Sequence, residues 1–263
     1  MKIVGLLSDF GLRDSYVPEM KAVVLSRCPE VRLVDISHEI PRFDVQMGAF
    51  VLASAARSFP KGSIFLAVVD PGVGSKRMPL IVQSDRSLYV GPDNGLLMLA
   101  ASREGLRSVY RIETSRYCTS TISATFHGRD IFAAVVGDLA SDIPISDIGS
   151  KVPNYVEPEF CRPVVEENSV NCQVLHVDAF GNVITNVSIS DLETIGLTLG
   201  DRVILKIGKK QLKLRFVRIY NEIPEEAVGC LFGSHGFLEI AIRMRNASEV
   251  IHVRPGSKLT ISA

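Results

Sequence analysis

Ile3-Val4-Gly5-Leu6-Leu7-Ser8, followed at once by Asp9-Phe10-Gly11, is the stretch on which the reading of the fold turns. A run of six residues without a charge suits a strand covered on both faces, as in a sheet with helices above and below it. The acid at its end marks the carboxyl rim, where open α/β sheets bind their ligands. Working outward, Tyr16–Ser26 reads as a helix: Asp14 or Ser15 can cap it, Pro18 suits its first turn and Glu19 complements its dipole. Strands follow over Val31–Ile36 and Ile64–Val69, with an Ala-rich helix, Val45–Ser58, between them. Leu80–Gln83 and Leu88–Val90 bracket a polar turn, Leu96–Arg103 is a short helix, Val109–Ile112 a strand and Arg129–Leu139 a helix. Strands alternating with helices predict a parallel-rich α/β domain over residues 1–155, with helices on both faces.

Ser150–Pro163, with Pro153, Pro158 and Pro163, reads as a linker. Beyond it come short strand-like runs: Cys172–Val177, Val183–Val187, Arg202–Ile207, Gln211–Val217, Ala227–Leu231, Phe237–Ile242 and Val250–Val253. They predict an all-β second domain over 165–263, a barrel or a sandwich. Within it Lys206–Arg218 carries six cations and no acid. Leu212, Leu214 and Phe216 alternate with Lys213 and Arg215, which favours a half-buried hairpin with a solvated basic face over an anion site.

The bulk properties exclude several classes. The 263 residues hold 29 Lys+Arg and 29 Asp+Glu, a net charge of +0, and neither half is biased: residues 1–155 carry 17 bases and 16 acids, residues 156–263 carry 12 and 13. A nucleic-acid platform, whose affinity is largely electrostatic, is not expected. The apolar runs fall far short of the roughly 18–20 residues of a membrane span. The N-terminus enters a strand at once, without a signal-peptide pattern. Cys28, Cys118, Cys161, Cys172 and Cys230 are odd in number and scattered, so neither a disulfide framework nor a zinc knuckle is expected, and the expected compartment is the cytoplasm.

Three predicted strands end in acids: Ser8-Asp9-Phe10-Gly11, Asp35-Ile36-Ser37-His38 and Asp70-Pro71-Gly72-Val73-Gly74. One such Asp is ordinarily a turn cap; three on one rim point to a site. Asp9 is placed to accept from a ribose diol. The glycine loop after Asp70 lacks the G-K-[ST] ending of a phosphate-binding loop. His127, between Phe126 and Gly128 at the start of a helix, stands where general acid–base chemistry is often found, although a lone His is usually structural. Arg129 and Asp130 read as a local ion pair and cap. In the second domain, Asp178-Ala179-Phe180-Gly181-Asn182 is a turn that offers a stacking ring and an amide able to donate and accept; an ordinary hairpin would look the same. Glu239, inside the apolar strand after Gly233-Ser234-His235-Gly236, either faces solvent or holds a cationic group.

Read together with Gly91-Pro92-Asp93-Asn94-Gly95, these motifs closely resemble the S-adenosyl-L-methionine (SAM) hydroxide adenosyltransferases, relatives of the fluorinase and chlorinase. The resemblance implies a C-terminal β-barrel and a homotrimer with SAM between neighbouring subunits, so that one subunit's first domain meets another's second. It implies that Asp70, Arg77 and His127 activate water, Asp9 holds the ribose and Phe43 lines the nucleoside pocket. Phe180, Asn182 and the Arg245–Ala247 backbone would meet adenine, and Asp14, Asp178, Ser234 and Glu239 the methionine end. The halogenating relatives carry an aromatic where Asp70 stands and lack His127, which points here to water. The chain departs from the family at Gly233, commonly Asn, and has His235 where the fluorinase has Arg.

The expected reaction is attack of water or hydroxide on the ribose C5′, releasing adenosine and L-methionine without cofactor or metal. The alternatives are a halide adenosyltransferase on the same scaffold, a metal-dependent phosphohydrolase using Asp9, Asp35 and Asp70, and a non-catalytic adenosine- or SAM-binding module.

Overall fold

A computed structural model describes residues 2–117, 123 and 125–263. The chain divides into two compact units at Pro158/Glu159.

The first unit runs β1 (Ile3–Ser8), α1 (Tyr16–Arg27), β2 (Arg32–Ser37), α2 (Val45–Ala56), β3 (Ile64–Val68), β4 (Pro79–Ser84), β5 (Leu88–Pro92), α3 (Met98–Arg103), β6 (Leu106–Ile112), α4 (Thr114–Tyr117), a π-helical turn over Gly128–Ala133, α5 (Ala134–Ala140), α6 (Ile145–Ile148) and β7 (Gly149–Lys151). The strands form one sheet in the order β2-β1-β3-β5-β4-β6-β7. Only its first half is parallel: β1 pairs in parallel with β2 and β3, and β3 with β5, whereas β4–β5, β4–β6 and β6–β7 are antiparallel. The sheet is therefore mixed, with the expected parallel pairing confined to one half. The reason is connection length: Asp85-Arg86-Ser87 can close a hairpin but cannot make the roughly dozen-residue crossover that parallel strands need.

The two faces of β1 and β3 explain their unbroken apolar sequences. Val4, Leu6, Ile64, Leu66 and Val68 pack on one side against Met20 and Val24 of α1 and Val135 and Val136 of α5. On the other side Phe65 stacks on Tyr89 with ring centroids 5.0 Å apart, and Gly48 of α2 sits against Leu96 and Val69. The α1 cap differs from expectation: Ser15 makes no side-chain cap, and its hydroxyl donates to Glu19 Oε1 at 2.6 Å. A π turn leads into α5, a wide turn of the kind that often marks functional positions.

The second unit contains β8 (Val164–Val165), β9 (Ser169–Val177), β10 (Val183–Thr185), α7 (Ile189–Thr194), β11 (Arg202–Ile207), β12 (Lys210–Phe216), β13 (Val228–Phe232), β14 (Leu238–Ile242), α8 (Ala247–Ile251) and β15 (Lys258–Ser262). Seven strands, β10-β14-β13-β12-β11-β15-β9, close into a barrel through the β9–β10 pairing, and β8 attaches to β9. Val250–Val253 is not a strand. Asn246 accepts from Glu249 N as an N-cap and His252, left-handed at φ 59°, ends a helix there. The strand that joins β11 to β9 is β15, whose Leu259 and Ile261 point into the core. Lys206–Arg218 is the expected hairpin, with Lys206, Lys210, Lys213 and Arg215 exposed. Cys28, Cys161, Cys172 and Cys230 form no disulfide among the described residues; Cys118 lies outside the described residues. Among the described residues no helix is long and apolar enough to cross a membrane.

Gly91 ties the antiparallel half of the sheet to the parallel half. A Cβ there would collide with the carbonyl oxygen of Ala67 in β3. Gly91→Ala should cost on the order of 1–3 kcal/mol in urea denaturation; a variant as stable as the parent would show that the strands do not meet this closely.

Candidate active site

The parallel strands place acids side by side on the carboxyl rim. Ser8 of β1 is in register with Val68 of β3, so Asp9 and Asp70 leave adjacent strands. Asp70 then opens a tight loop, with Val73 N donating to its carbonyl oxygen and Ser75 N to that of Gly72. The loop returns Arg77 to its own first residue. Arg77 Nε donates to Asp70 Oδ1 at 2.9 Å and Oδ2 at 3.0 Å, and Nη2 also donates to Oδ2. The same Nη2 donates to His127 Nδ1 at 2.9 Å. Below the guanidinium lies the Phe132 ring, 5.2 Å from Cζ to centroid, a contact the sequence did not single out.

Arg77 and Asp70 are nearly buried, their side chains 10% and 6% exposed. Arginine can only donate, so His127 Nδ1 must carry a lone pair and the neutral ring its proton on Nε2. Burial first, and then the Arg77 charge, hold the His127 pKa below its ordinary value, against the opposing pull of Asp70 and Asp130. Both causes favour the neutral imidazole that the hydrogen bond requires. Asp93, from the Gly91–Gly95 motif, is close enough to feel the Arg77 charge. Burial raises its pKa, partly offset by the Val156 N–H at 2.8 Å and by Arg77.

Phe10 and Phe126 join the Asp9 loop to the His127 segment, their rings edge-on at 5.8 Å. Asp9 Oδ2 accepts from Phe43 N at 2.9 Å. Phe43 is left-handed (φ 67°) and its ring is exposed. Asp14 is exposed just before α1. Arg129 pairs with Asp130, as expected, and also with Glu19. Asp35 does not approach as a third metal ligand: it is paired with Lys21 and His38. Among the described residues no three His, Cys, Asp or Glu side chains gather as metal ligands.

The second unit holds its own cluster. Asp178 Oδ1 accepts from Phe180 N and Asn182 N, both at 2.9 Å, and Oδ2 accepts from Asn182 Nδ2 at 2.9 Å. Both oxygens are thus spent on shaping the turn. That leaves Asn182 its Oδ1 and one amide hydrogen, and leaves the Phe180 ring 81% exposed. The turn docks on the start of α8, where Ser248 N donates to Gly181 O. Asp178, Phe180, Asn182, Tyr220, Met244 and Arg245 are among the residues around a cavity of about 710 Å³, which suits a small-molecule ligand. Ala247 is fully buried, backbone included, and Arg245 is the exposed end of this stretch.

Glu239 does not face solvent; it is 2% exposed. Tyr220 Oη donates to its Oε1 at 2.6 Å, and His235 Nε2 stands 3.2 Å from Oε2. His235 Nδ1 accepts from Phe237 N at 3.1 Å, so Nε2 carries the ring's proton. Gly233 stands against this group: a Cβ there would strike His235 Nε2 and lie 2.7 Å from Glu239 Oε2. Ser234 is exposed beside this group. Tyr220 was not foreseen; no local motif marks it.

A rim-bound Asp–Arg–His cluster on an α/β sheet, joined in sequence to a β-barrel with a ligand-sized cavity, defines a two-domain enzyme of small-molecule chemistry. The family follows from comparison. The family model for the SAM hydroxide adenosyltransferase N-terminal domain matches residues 4–149, and that for the C-terminal domain matches residues 172–260. The chain belongs to the SAM hydroxide adenosyltransferase family. It is 36% identical to the (R)-S-adenosyl-L-methionine hydrolase of Thermus thermophilus, over 97% of this chain and 98% of the relative. It is 34% identical to the hydrolase of the same name from Methanocaldococcus jannaschii, over 96% and 93%. A crystal structure of an uncharacterized conserved protein from Thermotoga maritima superposes with a TM-score of 0.84 at 34% identity, covering 99% of this chain and 100% of that one.

Removing Arg77 would strand a buried Asp70 carboxylate. Arg77→Ala should therefore cost roughly 3–5 kcal/mol in urea denaturation. Adding Asp70→Asn should recover part of that loss, because the orphaned charge is gone. Strictly additive losses would contradict a direct buried pair.

Proposed function

We propose that this protein hydrolyses S-adenosyl-L-methionine to adenosine and L-methionine. The observation that carries the mechanism is the Asp70–Arg77–His127 cluster, in which a nearly buried guanidinium is fixed by a carboxylate on one side and an imidazole on the other. The sulfonium makes methionine a good leaving group, so the task is to present water to C5′ in line with sulfur. Proximity of this kind is worth several kcal/mol. The oxygen of water forms the new bond to C5′. The C5′–S bond breaks, its electron pair neutralises sulfur, and one water proton passes to solvent. Arg77 supplies a permanent charge that lowers the pKa of a nearby water. Its Nη1 has no hydrogen-bond partner among the described residues and is free for that contact. His127, with its proton on Nε2, orients the water oxygen by donating, while Asp70 keeps the guanidinium in place.

Asp9 takes the ribose hydroxyls and Phe43 the wall of the nucleoside pocket. Phe180, Asn182 and the Arg245–Ala247 backbone, at its exposed Arg245 end, take adenine. Asp14, Ser234, Asp178 and Glu239 are assigned to the methionine end, the last two by shaping the pocket, since their oxygens are already engaged. The reading extends to a homotrimer in which the second-unit residues come from a neighbouring subunit; the division of the assigned residues between the two units supports it. It requires no cofactor, and cysteines that form no disulfide among the described residues suit the cytosol.

Purified protein with SAM and EDTA should release adenosine and methionine at the full rate, with no 5′-halo nucleoside when chloride or fluoride is added. Loss of activity in EDTA, or 5′-methylthioadenosine as product, would contradict the reading. Arg77→Ala should lower kcat by roughly 100-fold or more while KM stays within about threefold.

The pH dependence has a defined sign. Protonating His127 sets an N–H against Arg77, so kcat/KM should fall as pH drops through the His127 pKa, which lies below the ordinary 6.5. An acid limb above 6.5, or one that persists in His127→Asn, would contradict this assignment.

A further inference from the structure

A second polar chain lies one residue from Asp9, and the mechanism above gives it no task. Ser8 is fully buried and His38 is 3% exposed. Ser8 Oγ lies 2.7 Å from His38 Nδ1, and His38 Nε2 lies 3.1 Å from Asp35 Oδ1. Lys21 Nζ donates to Asp35 Oδ2 at 2.6 Å.

With a neutral His38 ring these groups admit one proton arrangement. Lys21 can only donate and ionised Asp35 only accept. Burial works against the Asp35 charge, but hydrogen bonds from Lys21 and His38 outweigh it and hold the carboxyl below its ordinary range. His38 therefore carries its proton on Nε2, and its Nδ1 lone pair receives the Ser8 hydroxyl hydrogen. The Ser8 oxygen in turn accepts from Phe10 N at 3.4 Å. Serine, histidine and aspartate in this order suggest a nucleophile, but a hydroxyl with no exposed surface cannot meet a substrate.

The chain instead holds two loops together. The His38 carbonyl accepts from Gly11 N at 2.7 Å, which closes the Asp9-Phe10-Gly11 turn onto the loop after β2. Farther along that loop, Phe43 N donates to Asp9 Oδ2. Asp9 is thus held through the backbone on one side and through its carboxylate on the other, and Oδ1 is left without a partner among the described residues.

We propose that His38 and Ser8 are positioning residues whose directional hydrogen-bond chain aims Asp9 at the ribose hydroxyls and so sets selectivity for ribose over 2′-deoxyribose. The inference rests on the assignment of Asp9 to the ribose, and the test separates the two.

The experiment measures kcat/KM for SAM and for its 2′-deoxy analogue. The wild type should prefer SAM by roughly 10- to 100-fold, as loss of a hydrogen bond to a charged group predicts. Ser8→Ala and His38→Phe should bring that preference to within about threefold of unity, chiefly by slowing SAM. His38→Asn, whose Oδ1 can replace the Nδ1 acceptor, should restore most of it. Variants that slow both substrates equally, or neither, would overturn the positioning role. A wild type with no preference would instead overturn the Asp9 assignment. Should His38→Phe fail to give a cooperative melt, Ser8→Ala carries the same comparison after deletion of a single oxygen.

Discussion

The site depends on one guanidinium being unable to turn. Arg77 cannot lose its proton, and its Nε and Nη2 hydrogens are committed to Asp70 and His127. Because Arg77 only donates, it also decides which nitrogen of His127 is protonated. A single buried ion pair thereby fixes the position of a charge, the tautomer of an imidazole and the path of the Asp70 loop. The rest of the first unit supports that pair. Two adjacent parallel strands bring Asp9 and Asp70 to the same rim. Phe132 underlies the guanidinium, and Phe10 against Phe126 joins the Asp9 loop to the His127 segment.

The second unit handles its carboxylates differently. Asp178 and Glu239 each have both oxygens hydrogen-bonded, Asp178 within its own turn and Glu239 to Tyr220 and His235. Buried polar groups are satisfied in this way or they cost stability. Asp178 orders the turn that carries Asn182 and Phe180, and Glu239 holds His235 and Tyr220.

Much of this was legible in the sequence. The uncharged runs Ile3–Ser8 and Ile64–Val68 marked strands with two covered faces, and the acids behind them marked the rim. The antiparallel half of the sheet is masked by the alternation of strand and helix, and only the shortness of Asp85-Arg86-Ser87 signals it. Val250–Val253 looked like a strand by composition, yet Asn246 as a cap made it the end of a helix. The true last strand, Leu259-Thr260-Ile261-Ser262, had a readable alternation. Long-range partners were another matter. Ser8 and His38 are 30 residues apart, Arg77 and His127 are 50 apart, and no local pattern announces either contact. Nor does spacing reveal that Asp178 and Glu239 are already satisfied.

The central claim is that this arrangement delivers water to the 5′ carbon of the adenosyl group. Turnover of SAM in oxygen-18 water tests it most directly, with mass spectrometry of the nucleoside. The account predicts one heavy oxygen, located at the 5′-hydroxyl of adenosine. Adenosine whose 5′-oxygen carries no label would contradict it.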